Sequence, residues 1–277
     1  MKNHIFQIYY SDATLDQIDA GFIPLDNTGQ RPDWREYWPM RRFLRENTLD
    51  PNARYGFLSP KFTEKTGLTA LEAKAFVNGM PDDVDVVAFS PFFDQAALFQ
   101  NAFEHAALCH PGIGPIVEDT AKLIAPELKV NEIVMSSQQT IFCNYFVAKP
   151  AFWQQWLEKC EQIFDVAEAG DSLLGQQLNG DVKYQSQHAP AKVFVIERIA
   201  SLILATQSKW KVRHFNPVTL PIGNAMLAQF GDDLLALDAL KHMAKETGFV
   251  QYFAAYLRKR TQVIERLNTV EAGKAAH

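Results

Sequence analysis

The segments Phe57-Leu-Ser-Pro-Lys-Phe62 and Ala88-Phe-Ser-Pro-Phe-Phe93 echo each other, and each lies where a strand-like apolar run gives way to a helix-like one. Proline has no N–H for a sheet ladder and pushes the preceding residue toward extended geometry, so both Ser-Pro pairs should end their strands. Open α/β sheets bind ligands beyond the carboxyl ends of their strands. The echo therefore predicts two polar corners, at Ser59 and Ser90, on one edge of a sheet, although Ser-Pro is also an ordinary turn signal.

Strand-like and helix-like runs alternate outward from these corners. β-Branched and aromatic runs predict strands over residues 5–10, 54–58, 84–89, 133–135, 140–148 and 210–215. Residues 11–33 are polar and turn-prone and are predicted to form a long loop. This order indicates an α/β sheet followed by a helical tail.

Local signals place the helices between and after these strands. Thr69-Ala-Leu-Glu72 is a capping box that should open a helix, Asp94 can cap a second helix through residue 108, and Pro150 suits the first turn of a third. Residues 192–206 have helical spacing, and residues 225–269 are predicted to form two helices that break at Gly248.

Composition restricts the class of protein. The 277-residue chain is 47% hydrophobic with a net charge of -5, which indicates a globular core and argues against a general nucleic-acid binder. Its three cysteines have no CxxC spacing, which fits a reducing cytoplasm. No apolar run approaches the roughly 18 residues that span a bilayer, so we expect a cytoplasmic protein without a transmembrane segment; peripheral membrane association stays open.

Basic residues are concentrated before and around the first corner. Residues 31–65 hold eight basic and five acidic side chains within an acidic chain. Arg41 and Arg42 could clamp a diphosphate, because the guanidinium fork matches phosphate oxygens, and Lys61 could add charge beside Ser59. The alternative is that these cations cover solvated surface.

Acidic and metal-ligating side chains give further candidates. Asp94 follows the third predicted strand and could act on a metal or a sugar hydroxyl, or merely cap a helix. The cluster at 82–85 precedes that strand and should lie on the opposite rim as a solvated turn. His105, Cys109 and His110 have helical spacing but fall short of a typical metal site. Glu197-Arg198 lies between apolar residues and forms either an internal ion pair or part of a site.

Three blocks resemble the bacterial surface-polysaccharide glycosyltransferases of the GT-A, nucleotide-diphospho-sugar transferase type, which include capsule and O-antigen enzymes. They are Tyr55-Gly-Phe-Leu-Ser-Pro-Lys-Phe62 with Lys65-Thr-Gly67, Asn144-Tyr-Phe-Val-Ala-Lys-Pro-Ala-Phe-Trp153, and Val193-Phe-Val-Ile-Glu-Arg-Ile-Ala-Ser-Leu-Ile203. The resemblance covers roughly residues 1–220. It implies a GT-A-like, Rossmann-like central sheet flanked by helices over 1–222, with a C-terminal helical extension over 223–277.

The resemblance also implies a reaction, in which a sugar moves from a nucleotide-diphosphate donor to a hydroxyl of a glycan or lipid-linked acceptor. Catalysis would fall to Asp94 or Glu197 as base, and acceptor binding to Asn144 and Arg198. Donor contacts are expected from Tyr10, Ser11, Arg41, Arg42, Ser59, Lys61 and Ser90. Such enzymes typically hold Mn²⁺ or Mg²⁺ with Asp-x-Asp, where this chain has Ser90-Pro91 and then Asp94. The alternatives are a scaffold protein of polysaccharide assembly, or a hydrolase or phosphotransferase that uses the strand-end carboxylate.

Overall fold

The computed structural model describes residues 1–184 and 187–275 and is built around a six-stranded, mostly parallel sheet. The strands are β1 (Lys2–Tyr9), β2 (Ile23–Asp26), β3 (Ala53–Leu58), β4 (Val86–Ala88), β5 (Phe146–Ala148), β6 (Asp181–Tyr184), β7 (Gln187–Pro190) and β8 (Val212–His214). The central sheet has the order β2-β1-β3-β5-β4-β8, in which β5 runs antiparallel to both of its neighbours. Strands β6 and β7 form a separate antiparallel ribbon.

Helices cover the sheet and extend beyond it. They are α1 (Asp12–Leu15), α2 (Tyr37–Glu46), α3 (Phe62–Thr66), α4 (Ala70–Asn78), α5 (Phe93–Leu98), α6 (Ala102–Cys109), α7 (Ile113–Ile124), α8 (Pro150–Ala169), α9 (Leu173–Asn179), α10 (Ala191–Ile196), α11 (Ile199–Thr206), α12 (Gly231–Thr247) and α13 (Val250–Ala275). Short 3₁₀ turns lie at Pro32–Trp34, Pro217–Thr219 and Ala225–Phe230. None of the helices in the described residues is both long enough and apolar enough to cross a membrane.

The alternation of side chains along the strands creates a core on each face of the sheet. In β5, Phe146 and Ala148 join a large aromatic cluster under α2 and α8, whereas Val147 joins a second cluster under α3 and α4. Trp153 of α8 packs edge-on against Phe57 of β3, with ring centroids 5.0 Å apart. This burial on both faces explains why β3 and β5 are apolar at nearly every position.

The C-terminal helices pack on α5. Phe93, Leu237 and Tyr256 belong to a third buried cluster, and the Tyr256 hydroxyl donates a hydrogen bond to Leu98 O at 2.8 Å. The division into a GT-A-like domain over 1–222 and a helical extension over 223–277 remains a prediction.

Several local predictions are confirmed. Strands β3 and β4 end just before Ser59-Pro60 and close before Ser90-Pro91, and because β5 is antiparallel to both, the two corners lie on the same edge. The Thr69–Glu72 capping box opens α4 with both reciprocal hydrogen bonds. Gly248 ends α12 with φ +70°, a left-handed conformation that glycine adopts without steric cost.

Other predictions are wrong. The expected loop over 11–33 contains α1 and the edge strand β2, whose Pro24 is tolerated because an edge strand has a side without ladder bonds. Residues 133–135 form no strand, and the strand expected over 140–148 is limited to β5. The helix expected from Asp94 to residue 108 is split in two, because the Asn101 side chain caps a new helix, α6, by accepting from two main-chain N–H groups. Phe92, not Asp94, is the N-cap residue of α5.

Candidate functional site

A narrow recess opens at the edge of the sheet where the parallel strands end. Ser59 follows β3, and Asn144 precedes the antiparallel β5, so both reach this edge from neighbouring strands. The free volume of the recess is about 30 Å³. Its walls are formed by Trp34, Glu36, Tyr37, Ser59, Lys65, Cys143, Asn144, Val193, Ile196 and Glu197.

Buried hydrogen bonds fix the side of the recess formed by the first corner. The Ser59 hydroxyl lies 2.6 Å from the hydroxyl of Tyr145 and also accepts the Lys61 main-chain N–H at 3.2 Å. Tyr145 is fully buried, and its ring packs against Phe62 at the start of α3. Buried protein contacts therefore hold the Ser-Pro corner at this side of the site.

The opposite side depends on two consecutive residues with left-handed backbone. Cys143 has φ 61° and Asn144 has φ 54°, conformations that are unusual for residues other than glycine and that tend to cluster at functional sites. Asn144 is only 5% exposed, and in the described structure its side-chain Oδ1 has no hydrogen-bond partner. A buried amide oxygen without a partner is costly, which marks it as an acceptor for a ligand or water.

Two carboxylates, an ammonium group and a thiol share this space. Lys65 Nζ donates to Cys143 Sγ at 3.2 Å. Burial raises the pKa of Glu197, and nearby Glu36 raises it further, whereas Arg198 and Lys65 act in the opposite direction. Burial also raises the pKa of Cys143 to about 12, so Cys143 remains a neutral thiol at physiological pH.

Arg198 supports Glu197 from behind the recess. Its guanidinium lies 3.9 Å from the nearer Glu197 oxygen and donates to Ala102 O at 3.0 Å, and the residue is 4% exposed. Arg198 is not among the residues that line the recess. It therefore partly neutralises Glu197 without lining the space that a ligand would enter.

Three of the predicted site residues, Ser59, Asn144 and Glu197, meet at the recess. Tyr10 lies beside it: burial raises the pKa of its phenol, and the neighbouring Glu36 carboxylate raises it further. The Ser11 hydroxyl caps α1 by accepting from Thr14 N–H. Lys61 is exposed on the rim after the first corner.

The two arginines predicted to clamp a diphosphate have protein partners instead. Arg41 Nε donates to Glu161 Oε1 at 2.5 Å. Arg42 donates to Gln30 Oε1 and Asp26 O, both at 2.5 Å. Neither arginine lines the recess.

The second corner serves the packing of the chain. The Ser90 hydroxyl accepts the Phe142 main-chain N–H at 3.0 Å. Asp94 is fully buried, and its two carboxylate oxygens accept main-chain N–H groups from Gly223 at 2.8 Å and Asn224 at 2.9 Å. Burial raises the pKa of Asp94, which these hydrogen bonds oppose. Because its oxygens are buried and occupied, Asp94 does not fit the expected Mn²⁺ or Mg²⁺ ligand.

The remaining candidates are also structural. Asp83 pairs with Lys211, and Asp85 pairs with Lys149 at 2.9 Å, at the end of β4 opposite the recess. His105 Nε2 lies 2.7 Å from Gln95 Oε1 inside the fold. Within residues 1–184 and 187–275, no three His, Cys, Asp or Glu side chains are grouped as a metal site requires.

Sequence reasoning missed Glu36 and the contribution of Trp34 and Tyr37 to the wall. Glu36 is the N-cap position of α2, and the neighbouring aromatic rings hold this turn against α8 through Phe164, with a Trp34–Phe164 centroid distance of 5.0 Å. The local sequence gave one sign of a role for Glu36, which is that it is an acidic residue within a basic and aromatic segment. Its position over the recess depends on contacts that are distant in sequence.

Comparisons with protein-family models, with curated proteins and with solved structures find no match for this chain. The function is therefore inferred from the geometry of the recess and from the residues that form it.

Proposed function

We propose that this protein is a glycosyltransferase of the GT-A type, which transfers a sugar from a nucleotide-diphosphate donor to a glycan or lipid-linked acceptor in bacterial surface-polysaccharide synthesis. One observation carries the proposal: the three sequence blocks that resemble such enzymes line the same recess. The first block supplies Ser59 and Lys65, the second Asn144 and the third Glu197. Ser59 and Glu197 are 138 positions apart in the sequence.

The location of the recess supports the same class of enzyme. It lies beyond the carboxyl ends of parallel strands, where α/β folds bind small ligands. A mostly parallel sheet with helices on both faces is compatible with a GT-A-like fold.

Glu197 is the proposed general base. The acceptor hydroxyl oxygen attacks the anomeric carbon of the donor sugar, the bond from that carbon to the diphosphate oxygen breaks, and the hydroxyl proton passes to Glu197. A carboxylate whose pKa is raised is a stronger base, and Arg198, 3.9 Å away, partly offsets its charge. Exposed Arg35 and Lys61 beside the recess are the proposed partners of the departing diphosphate.

The first test is a thermal-shift screen of UDP-, GDP-, CMP- and dTDP-sugars, with and without Mn²⁺. A ligand at 100 times its Kd should stabilise the fold by about 2.7 kcal/mol, which raises the Tm of a chain of this size by several degrees. Absence of a shift with every nucleotide sugar would overturn the proposal.

The second test separates catalysis from binding. Glu197→Gln should retain the ligand-induced shift but lower turnover by about 10²–10⁴-fold, the usual contribution of a general base. Glu127→Gln is the matched control, because Glu127 is exposed and lies outside the recess. Equal turnover in both variants would contradict the assignment, and donor cleavage at a rate independent of added acceptor would indicate a hydrolase.

A further inference from the structure

The distribution of charge around the recess points to the kind of sugar it accepts, an inference that rests on the proposed function. Two carboxylates, Glu36 and Glu197, face the recess, and among the described residues that line it, positive charge comes from Lys65. Arg198 offsets part of the Glu197 charge, but its side chain is buried behind the wall and two of its N–H groups donate to main-chain carbonyls. A carboxylate on the ligand would be a third negative charge beside Glu36 and Glu197, and the nearby cations Lys65 and Arg198 already donate to protein groups.

The hydrogen-bonding groups of the recess also favour an uncharged sugar over one with a carboxylate. The two carboxylates can only accept, and the buried Oδ1 of Asn144 is an acceptor without a partner in the described structure. A sugar hydroxyl can donate to such groups and accept from Lys65, whereas an ionised carboxylate can only accept. Acceptor-rich walls therefore match the hydroxyl edge of a sugar.

Further positive charge lies outside these walls, in addition to Lys65. Arg35 is exposed and close enough to Tyr10 to counteract the rise in the pKa of that phenol, and Lys61 is exposed after the first corner. A donor could then place its diphosphate near these cations and its sugar in the recess. The diphosphate would then lie near positive charge, and the sugar would lie near the two carboxylates.

We propose that the recess binds the hydroxyl edge of an uncharged sugar and excludes sugars that carry a carboxylate, and that Glu36 sets this preference. Glu36 is suited to this role because it faces the recess from the N-cap of α2 without serving as a side-chain cap, so its charge can be removed without losing a helix cap. The bound sugar could belong to the donor or to the acceptor.

The test compares sugars that differ only at C6. UDP-glucose and UDP-glucuronate, or the GDP-mannose and GDP-mannuronate pair, are titrated calorimetrically against the full chain. A second arm uses methyl glucoside and methyl glucuronoside with saturation-transfer NMR, which reports an acceptor-side recess. We expect the uncharged member to bind about tenfold more tightly or better, because a nearby like charge disfavours the acidic one.

Variants then assign the preference to Glu36. Glu36→Gln should reduce the difference in affinity between the uncharged and the acidic sugar to less than about threefold. Glu36→Ala removes the same charge in a second way. Glu127→Gln should leave the difference in affinity unchanged. Equal binding of both sugars by the wild type, or an unchanged difference in the Glu36 variants, would overturn the inference while leaving the proposed function intact. Absence of binding by every nucleotide sugar and glycoside would overturn both.

Discussion

Replacing Asp94 with asparagine should separate a structural role from a catalytic one. Asp94 has no exposed surface, and its two oxygens hold the Gly223 and Asn224 N–H groups at 2.8 Å and 2.9 Å. Hydrogen bonds to a charged group each contribute about 1.5–3 kcal/mol. Asparagine keeps one acceptor but turns an NH₂ group toward the other N–H, and the desolvation cost of the buried carboxylate is relieved at the same time.

The net effect of Asp94→Asn is therefore a loss of about 2–4 kcal/mol in the free energy of unfolding. For a chain of this size, that corresponds to a decrease in Tm of roughly 5–15 °C. The assay is urea unfolding together with thermal melting, followed by donor binding and turnover below the new Tm. We expect binding and turnover within about threefold of wild type, because Asp94 lies outside the recess. Unchanged stability with turnover abolished would refute this reasoning and restore Asp94 as a catalytic residue.

Two further predictions concern buried and paired cations. Lys241 is fully buried and donates to Ala96 O and Phe99 O, and burial lowers its pKa from 10.5 to about 7. Between these values the unfolded state binds more protons, so stability should rise with pH by up to about 1.4 kcal/mol per unit. Lys241→Met should remove most of that slope in urea midpoints measured from pH 7 to 9; an identical slope in both proteins contradicts the assignment. Arg41→Ala should lower the free energy of unfolding by about 1 kcal/mol or more through loss of the Glu161 pair, and should leave donor affinity unchanged in calorimetry. Weaker donor binding at unchanged stability would support a phosphate clamp instead.

Features governed by neighbouring residues were predictable from the sequence. The Ser59-Pro60 corner follows from the missing N–H of proline, and the capping box at Thr69 requires only residues three positions apart. Gly248 needs only its freedom to adopt positive φ. Each of these signals acts within one turn of chain, so tertiary contacts did not need to be known.

Features governed by distant residues were not predictable in the same way. The resemblance assigns Asn144 to the acceptor side, but no neighbouring residue predicts its positive φ or the lack of a hydrogen-bond partner for its Oδ1 in the described structure. The local sequence presents Asp94 as a strand-end carboxylate. Its hydrogen-bond partners, Gly223 and Asn224, lie about 130 positions later, so the local sequence gives no sign of its structural role. Glu36 lacked any recognised motif, and only the packing of α2 against α8 brings it to the recess.

The basic segment at 31–65 shows how charge counted along a chain differs from charge in the folded protein. Arg31 pairs with Asp33 and Glu168, and Arg41 and Arg45 share Glu161, so acidic residues of α8 neutralise much of the local excess.

The cations left for a diphosphate are therefore not the adjacent arginines that the sequence favoured. Of the eight basic residues, Arg35 and Lys61 are exposed and lie outside these ion pairs. They belong to different segments, before α2 and before α3, and each is next in the chain, or nearly so, to a residue that lines the recess. Under the proposed function, a diphosphate held by these two cations leaves the uncharged sugar end of the donor to point inward toward Glu36 and Glu197.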